Sequence, residues 1–225
     1  MRYTGFKLYK KAGKRMDKNV SMVMEKRARA AVAALRKNQF EAHYVATKEE
    51  LLPKISAMLP PGCSCSVGGS ATLDQTGVRA MLEQGDFNYH DRYAPGADTA
   101  AVFAAALTCD VYLTSANAVT LDGELYNMDG RANRVASICY GPGRVIVVAG
   151  HNKIVADVKA ARKRLRTVAA PANALRLGLG TPCATTGHCT DCSHPERMCS
   201  QELITGWQRQ AERICVFIVG QDYGY

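Results

Sequence analysis

No run of eighteen apolar residues occurs anywhere in the 225-residue chain, which excludes a membrane-spanning helix. The first twenty residues hold Lys7, Lys10, Lys11, Lys14 and Arg15 but no apolar core of the length a secretion signal needs, so a cytoplasmic protein is the expectation. Gly/Ser-rich and Pro-rich linkers are also missing, which argues against loosely tethered modules. The length then reads as one α/β domain with appendages. Aromatic residues are scarce, at 7%, and none interleave with the basic clusters at the N-terminus and at Lys159, Arg162, Lys163, Arg164 and Arg166. Without stacking platforms, the net charge of +9 is a poor signature of nucleic-acid binding, and no nucleic-acid partner is expected. No P-loop and no six-residue dinucleotide fingerprint is present either.

What the chain does have is a polar stretch at 113–134, LTSANAVTLDGELYNMDGRANR, where apolar residues would be expected in the middle of a domain. Ser115, Asn117, Thr120, Asp122, Glu124, Asn127, Asn133 and Arg134 supply donors and acceptors. Asp122-Gly123 and Asp129-Gly130 are hairpin-type turn dipeptides, placing ELYNM on a short strand. Such a strand holds polar groups rigidly, as a site requires.

Apolar spacing predicts a helix over 16–36, a strand over 40–46 and a helix from 48 to 59 with Thr47 and Glu50 as a capping box. A strand over 63–67 runs into Gly68-Gly69-Ser70 and then a helical pattern carrying Thr72. A glycine turn between strand and helix suits an anion or phosphate, whereas Ser70 as a plain N-cap explains the same residues. The polar loop 88–98, with His90, Asp91, Arg92 and Tyr93, is either a lid or a surface loop. An Ala-rich buried helix is expected over 99–107 and strands over 110–113, 135–138, 145–149 and 214–219, with a helix over 152–168. Strands alternating with helices imply an α/β fold with a mostly parallel sheet.

Nine cysteines in a reducing compartment point to thiols or metal ligands over disulfides. Cys63, Cys65, Cys109, Cys139 and Cys215 read as small core residues. Cys183, Cys189, Cys192 and Cys199 are different, lying within TPCATTGHCTDCSHPERMCS at separations of five, two and six residues. Four thiolates so close, with Gly187 and Pro195 bending the loop, can converge on one iron–sulfur cluster, such as a 4Fe-4S cubane, or on one zinc ion. His188 and His194 are further zinc-type donors. Spacing alone does not separate the two metals, and free or redox-active thiols remain the plain alternative.

These residues carry a family likeness. VGGSATLDQTGV (67–78), SANAVTLDGEL (115–125), NMDGRANRV (127–135), GPGRVIVVAGHNKIV (141–155) and the TPC and CTDC pieces together resemble the LUD-domain family, that of lactate-utilisation protein C and formerly DUF162. The cysteine tail resembles a short single-domain sub-branch of it. The resemblance implies a three-layer α/β sandwich similar to the ribose-phosphate isomerase and CoA-transferase group (the NagB/RpiA/CoA-transferase-like fold). It also implies an association with L-lactate oxidation through iron–sulfur redox partner proteins. The corresponding division of the chain is an N-terminal helical extension (1–37), a LUD-like core (38–180), a cysteine-rich metal loop (181–200), and a helix and strand that complete the core (201–225).

Three functions are open at this point. The first is an accessory or subunit of an iron–sulfur electron-transfer system for lactate or related hydroxy and keto acids. The second is an enzyme on a small phosphorylated or carboxylated metabolite. In it Gly68, Gly69, Ser70 and Thr72 grip the anion with Ser115, Asn117, Thr120, Asn127, Asn133 and Arg134, and Glu124 or Asp122 acts as general base. Asp122 also suits a structural role at the Gly123 turn. The third is a metabolite-binding regulator with a structural zinc loop. A homodimer is expected only by analogy with other folds of this size.

Overall fold

The computed structural model describes residues 17–225; the basic cluster Lys7–Arg15 lies outside them. Six strands, β1 (Glu41–Val45), β2 (Ser64–Val67), β3 (Asn88–His90), β4 (Val111–Thr114), β7 (Arg144–Gly150) and β10 (Ile214–Val219), form an all-parallel sheet in the order β1-β10-β7-β4-β2-β3. A smaller mixed sheet joins β5 (Ala118–Thr120), β6 (Leu125–Asp129), β8 (Ile154–Val155) and β9 (Gln201–Thr205) in the order β8-β5-β6-β9.

The central strands are continuous apolar runs because both of their faces are covered. Ile214, Val216 and Ile218 of β10 join Val145, Val147 and Ala149 of β7 beneath α1 (Lys18–Lys37), which contributes Ala28, Ala31, Val32 and Leu35. The alternate residues Cys215, Phe217, Val219, Ile146 and Val148 face α2 (Lys48–Ser56), α3 (Ala71–Thr76) and α4 (Val78–Gln84), where Leu51, Ile55, Leu73, Val78 and Leu82 are buried. Each such fully buried Leu, Ile or Val contributes about 1.5–3 kcal/mol of hydrophobic stabilisation. Helix, sheet and helix make the three-layer α/β sandwich, and α1 belongs to its core.

Several local expectations are corrected. Residues 135–138 are helical, within α6 (Asn133–Cys139), because the Asp129 carboxylate accepts the backbone N–H groups of Arg134 and Val135 and fixes a helical first turn. Asp129-Gly130 is accordingly a helix lead-in and not a hairpin turn. The pattern after Ser70 breaks into α3 and α4 at Gly77, whose φ of +82° only glycine adopts cheaply. Thr47 makes no capping hydrogen bond; Glu50 instead accepts from Ala46 N at 3.1 Å. The Ala-rich α5 (Thr99–Ala106) buries only Ala106. Cys139 is exposed at the end of α6. Residues 201–205 form a strand, where a helix was expected.

Candidate functional site

β2 and β4 are neighbours in the sheet, yet their chains leave in opposite directions, one outward to β3 and the other into the small sheet at β5. A crevice opens at such a divergence, outside the strand C-termini. It is a cavity of about 610 Å³ lined by Gly69, Ser70 and Thr72 from the β2 side and by Ser115, Asn117, Asn133 and Arg134 from the β4–α6 side. Two segments remote in sequence thus share one opening. Gly68 lies just beneath, packed so closely that a Cβ there would stand 2.9 Å from Thr114 Oγ1 and from Tyr112 Oη, and 3.1 Å from Arg134 Cδ. Ser70 caps α3 by accepting from Leu73 N at 3.3 Å while its residue also lines the cavity.

Arg134 organises one wall. Its Nε donates to Asp129 Oδ1 (2.9 Å), its Nη1 to Ser115 O (3.2 Å), and its Nη2 to Asn117 Oδ1 (2.8 Å) and Met128 O (2.9 Å). With so many donors committed to the protein, its main work is to fix Ser115, Asn117 and Asp129 in place. Asn117 Oδ1 also accepts from Met128 N, so this side chain is held from two directions.

The floor is Lys153, 3% exposed, in a short 3₁₀ turn (His151–Lys153) at the C-terminal end of β7. Its Nζ lies within hydrogen-bonding distance of Thr72 Oγ1 (2.8 Å), Ser115 Oγ (3.0 Å) and Ala116 O (3.1 Å). Among the described residues no carboxylate pairs with it. Burial, then the nearby Arg164 and Arg134, push its pKa well below the usual lysine value. Gly224, at φ +60°, passes close by; a Cβ there would come within 3.2 Å of Nζ.

Lys153 was not among the residues singled out from the sequence. The signal for it was its position directly after the best buried strand, where sites of parallel sheets gather. The segment expected as a loop from 88 begins as the edge strand β3; Arg92 and Tyr93 in the loop after it, together with Arg131, Arg176 and Arg197, complete the rim. Of the lining arginines, Arg134 pairs with Asp129 and Arg197 with Asp191, whereas Arg92, Arg131 and Arg176 have no salt-bridge partner among the described residues; with Glu196 the remaining lining acid, the cavity carries excess positive charge. Arg176 reaches it from α8 (Ala170–Arg176), which continues α7 (Val158–Arg164) through a π-helical segment (Leu165–Ala169). Arg164, at the end of α7, donates to Asn117 O (2.6 Å).

The structure places the other expected residues elsewhere. Asp122 is exposed, and Glu124 accepts from Thr120 Oγ1 at 3.2 Å while Glu124 N donates to the same hydroxyl at 3.0 Å. These contacts close the β5–β6 turn, and Asn38 Nδ2 donates to the carbonyls of Asp122 and Gly123. Thr120 and Asn127 are fully buried. None of these four lines the cavity.

A second cavity, of about 220 Å³, is lined by Cys183, Cys189, Cys192 and Cys199. Cys183 lies in the short helix α9 (Pro182–Thr186) and the others in the loop after it. All four are free thiols and partly exposed. The Cys199 thiol is pushed up by burial and by Cys189, with Arg197 acting against this and Cys183 and Cys192 adding to it. His188 and His194 do not line this cavity, so its metal-type donors are the thiols together with Asp191 and Glu202. Arg197 braces the loop: Nη1 donates to Cys192 O (2.6 Å), Nε to Cys199 O (2.8 Å) and Nη2 to Asp191 Oδ1 (2.9 Å).

Among the described residues, the group whose ligand atoms all lie within 4.8 Å of one another is Glu41, His43 and Cys215. There Arg144 already pairs with Glu41, and burial pushes the Cys215 thiol far up, so the cluster reads as an ion pair against the core.

A family model described as LUD domain matches residues 28–219. No curated protein matches the chain. Among solved structures, a DUF162 family protein from Deinococcus radiodurans is similar at 16% identity, covering 88% of this chain and 97% of that chain, with a TM-score of 0.48.

Proposed function

Because the chain belongs to the LUD-domain family, we propose that it binds a small hydroxy or keto acid in the larger cavity and serves an iron–sulfur electron-transfer system through its cysteine loop. The observation that carries this reading is a shared wall: Met128, Arg197 and Met198 line both cavities. A ligand in one and a metal group in the other would be neighbours, linked by a single arginine.

The excess of cationic side chains favours an anion, and the polar neighbours Asn117, Asn133 and Ser115 favour one with hydroxyl or carbonyl oxygens. The donor set of the smaller cavity supports the metal assignment. Four thiolates without a histidine suit a cubane, in which each sulfur binds its own iron, and Asp191 N donates to Cys189 Sγ at 3.4 Å, a contact of the kind that tunes cluster potential. When bound, such a cluster would supply one-electron exchange. The chain's own contribution is to hold the four sulfurs and to position the acid beside them.

Anaerobic purification with metal analysis tests the reading. A brown protein with about four irons per chain supports it. A colourless protein with one zinc overturns the electron-transfer role and leaves a zinc-stapled binding protein. The acid half is tested separately, by a rise in melting temperature with lactate or pyruvate but not with a neutral amide of the same size.

A further inference from the structure

The larger cavity holds a group that simple anion binding does not need. A charged lysine would pair with a carboxylate, yet Lys153 Nζ meets only two hydroxyls and a carbonyl, Thr72 Oγ1, Ser115 Oγ and Ala116 O. Two cations flank it. Arg134 is neutralised by Asp129, whereas Arg164 is held by the carbonyls of Asn152 and Asn117. The amine is nearly sealed from water but belongs to the cavity lining. Desolvation beside other cations is one of the arrangements that keep a lysine unprotonated and nucleophilic.

We propose that Lys153 captures a small carbonyl-bearing acid, a 2-oxo acid or aldehyde acid, as a covalent imine, with the acid's carboxylate held by the arginines of the cavity rim. This rests on the anion-binding reading above and deepens it. The Nζ lone pair attacks the carbonyl carbon and forms the C–N bond. The carbonyl oxygen takes up two protons and departs as water, leaving C=N; no oxidant or reductant is consumed. Ser115 Oγ and Thr72 Oγ1, both bonded to Nζ and 3.3 Å from each other, are placed to carry protons from nitrogen to the leaving oxygen. The lowered proton affinity of Lys153 supports the same role.

The experiment is reductive trapping on the full chain. The protein is incubated with pyruvate or glyoxylate and cyanoborohydride, and the modified residue is located by peptide mapping. The expected result is one adduct per chain at Lys153, absent with lactate, which has the charge but no carbonyl, and suppressed when excess lactate competes. The variant Lys153→Arg should lose the adduct. The wild-type map stands by itself should that variant fail to fold. Adducts spread over exposed lysines, or none at Lys153 although lactate and pyruvate still raise the melting temperature, would overturn the covalent role and leave the binding site intact. No adduct and no thermal response would overturn both.

Discussion

Arg134 and Asp129 are locked together: Nε and Nη2 each stand 2.9 Å from Oδ1, while Oδ2 accepts the backbone N–H groups of Arg134 and Val135. One carboxylate thus orients the guanidinium and starts α6. Both side chains are nearly buried, at 11% and 7% exposure. Removing either partner leaves an uncompensated charge, which typically costs about 3–5 kcal/mol. Asp129→Ala and Arg134→Met should each lower the free energy of unfolding, measured by urea titration, by an amount in that range, and the double variant should cost less than their sum.

Anion affinity should follow the rim arginines and not the carboxylate that the turn first suggests. Arg92 and Arg131 line the cavity without a salt-bridge partner among the described residues, whereas Glu124 is spent on Thr120. Loss of a charged hydrogen bond is worth about 1.5–3 kcal/mol, roughly ten- to a hundredfold in affinity. Calorimetric titration with a small carboxylic acid should show that weakening for Arg92→Ala or Arg131→Ala, and no change for Glu124→Gln.

The buried lysine makes stability depend on pH. Its folded pKa is lowered, so between that value and the unfolded value near about 10.4 the unfolded chain binds more protons than the folded one. Stability therefore rises with pH across this window, and the penalty is fully present below it. Lys153→Met removes the effect. The variant's advantage over the parent in urea unfolding should be largest at the acidic end and should shrink as pH rises; a pH-independent difference would contradict the lowered pKa.

The cysteine loop should be separable from the fold. Cys189 and Cys192 belong to none of the three buried apolar clusters, and only Cys199 packs against one of them. The pair Cys189→Ser and Cys192→Ser should lose bound metal, measured by elemental analysis, while the far-UV circular dichroism keeps its α/β shape.

The continuous apolar runs at 145–149 and 214–219 were legible because strands covered on both faces need no polar positions. Likewise, the four cysteines announced themselves by composition. The stretch at 135–138 did not, since its β-branched residues were overruled by a carboxylate six positions upstream of Val135, a contact no local propensity contains.

The chain by itself determined the layered α/β class, the glycine turn after β2, the polar stretch after β4 and the thiol cluster, because each depends on residues near one another in sequence. Only the tertiary structure decided which of those polar residues face one cavity, that Glu124 turns away to serve its own turn, and that Lys153 forms the floor. The physical reason is that the cavity is made where parallel strands diverge. Its walls come from segments as far apart as Thr72, Ser115, Lys153 and Gly224, and nothing short of the completed sheet sets their distances.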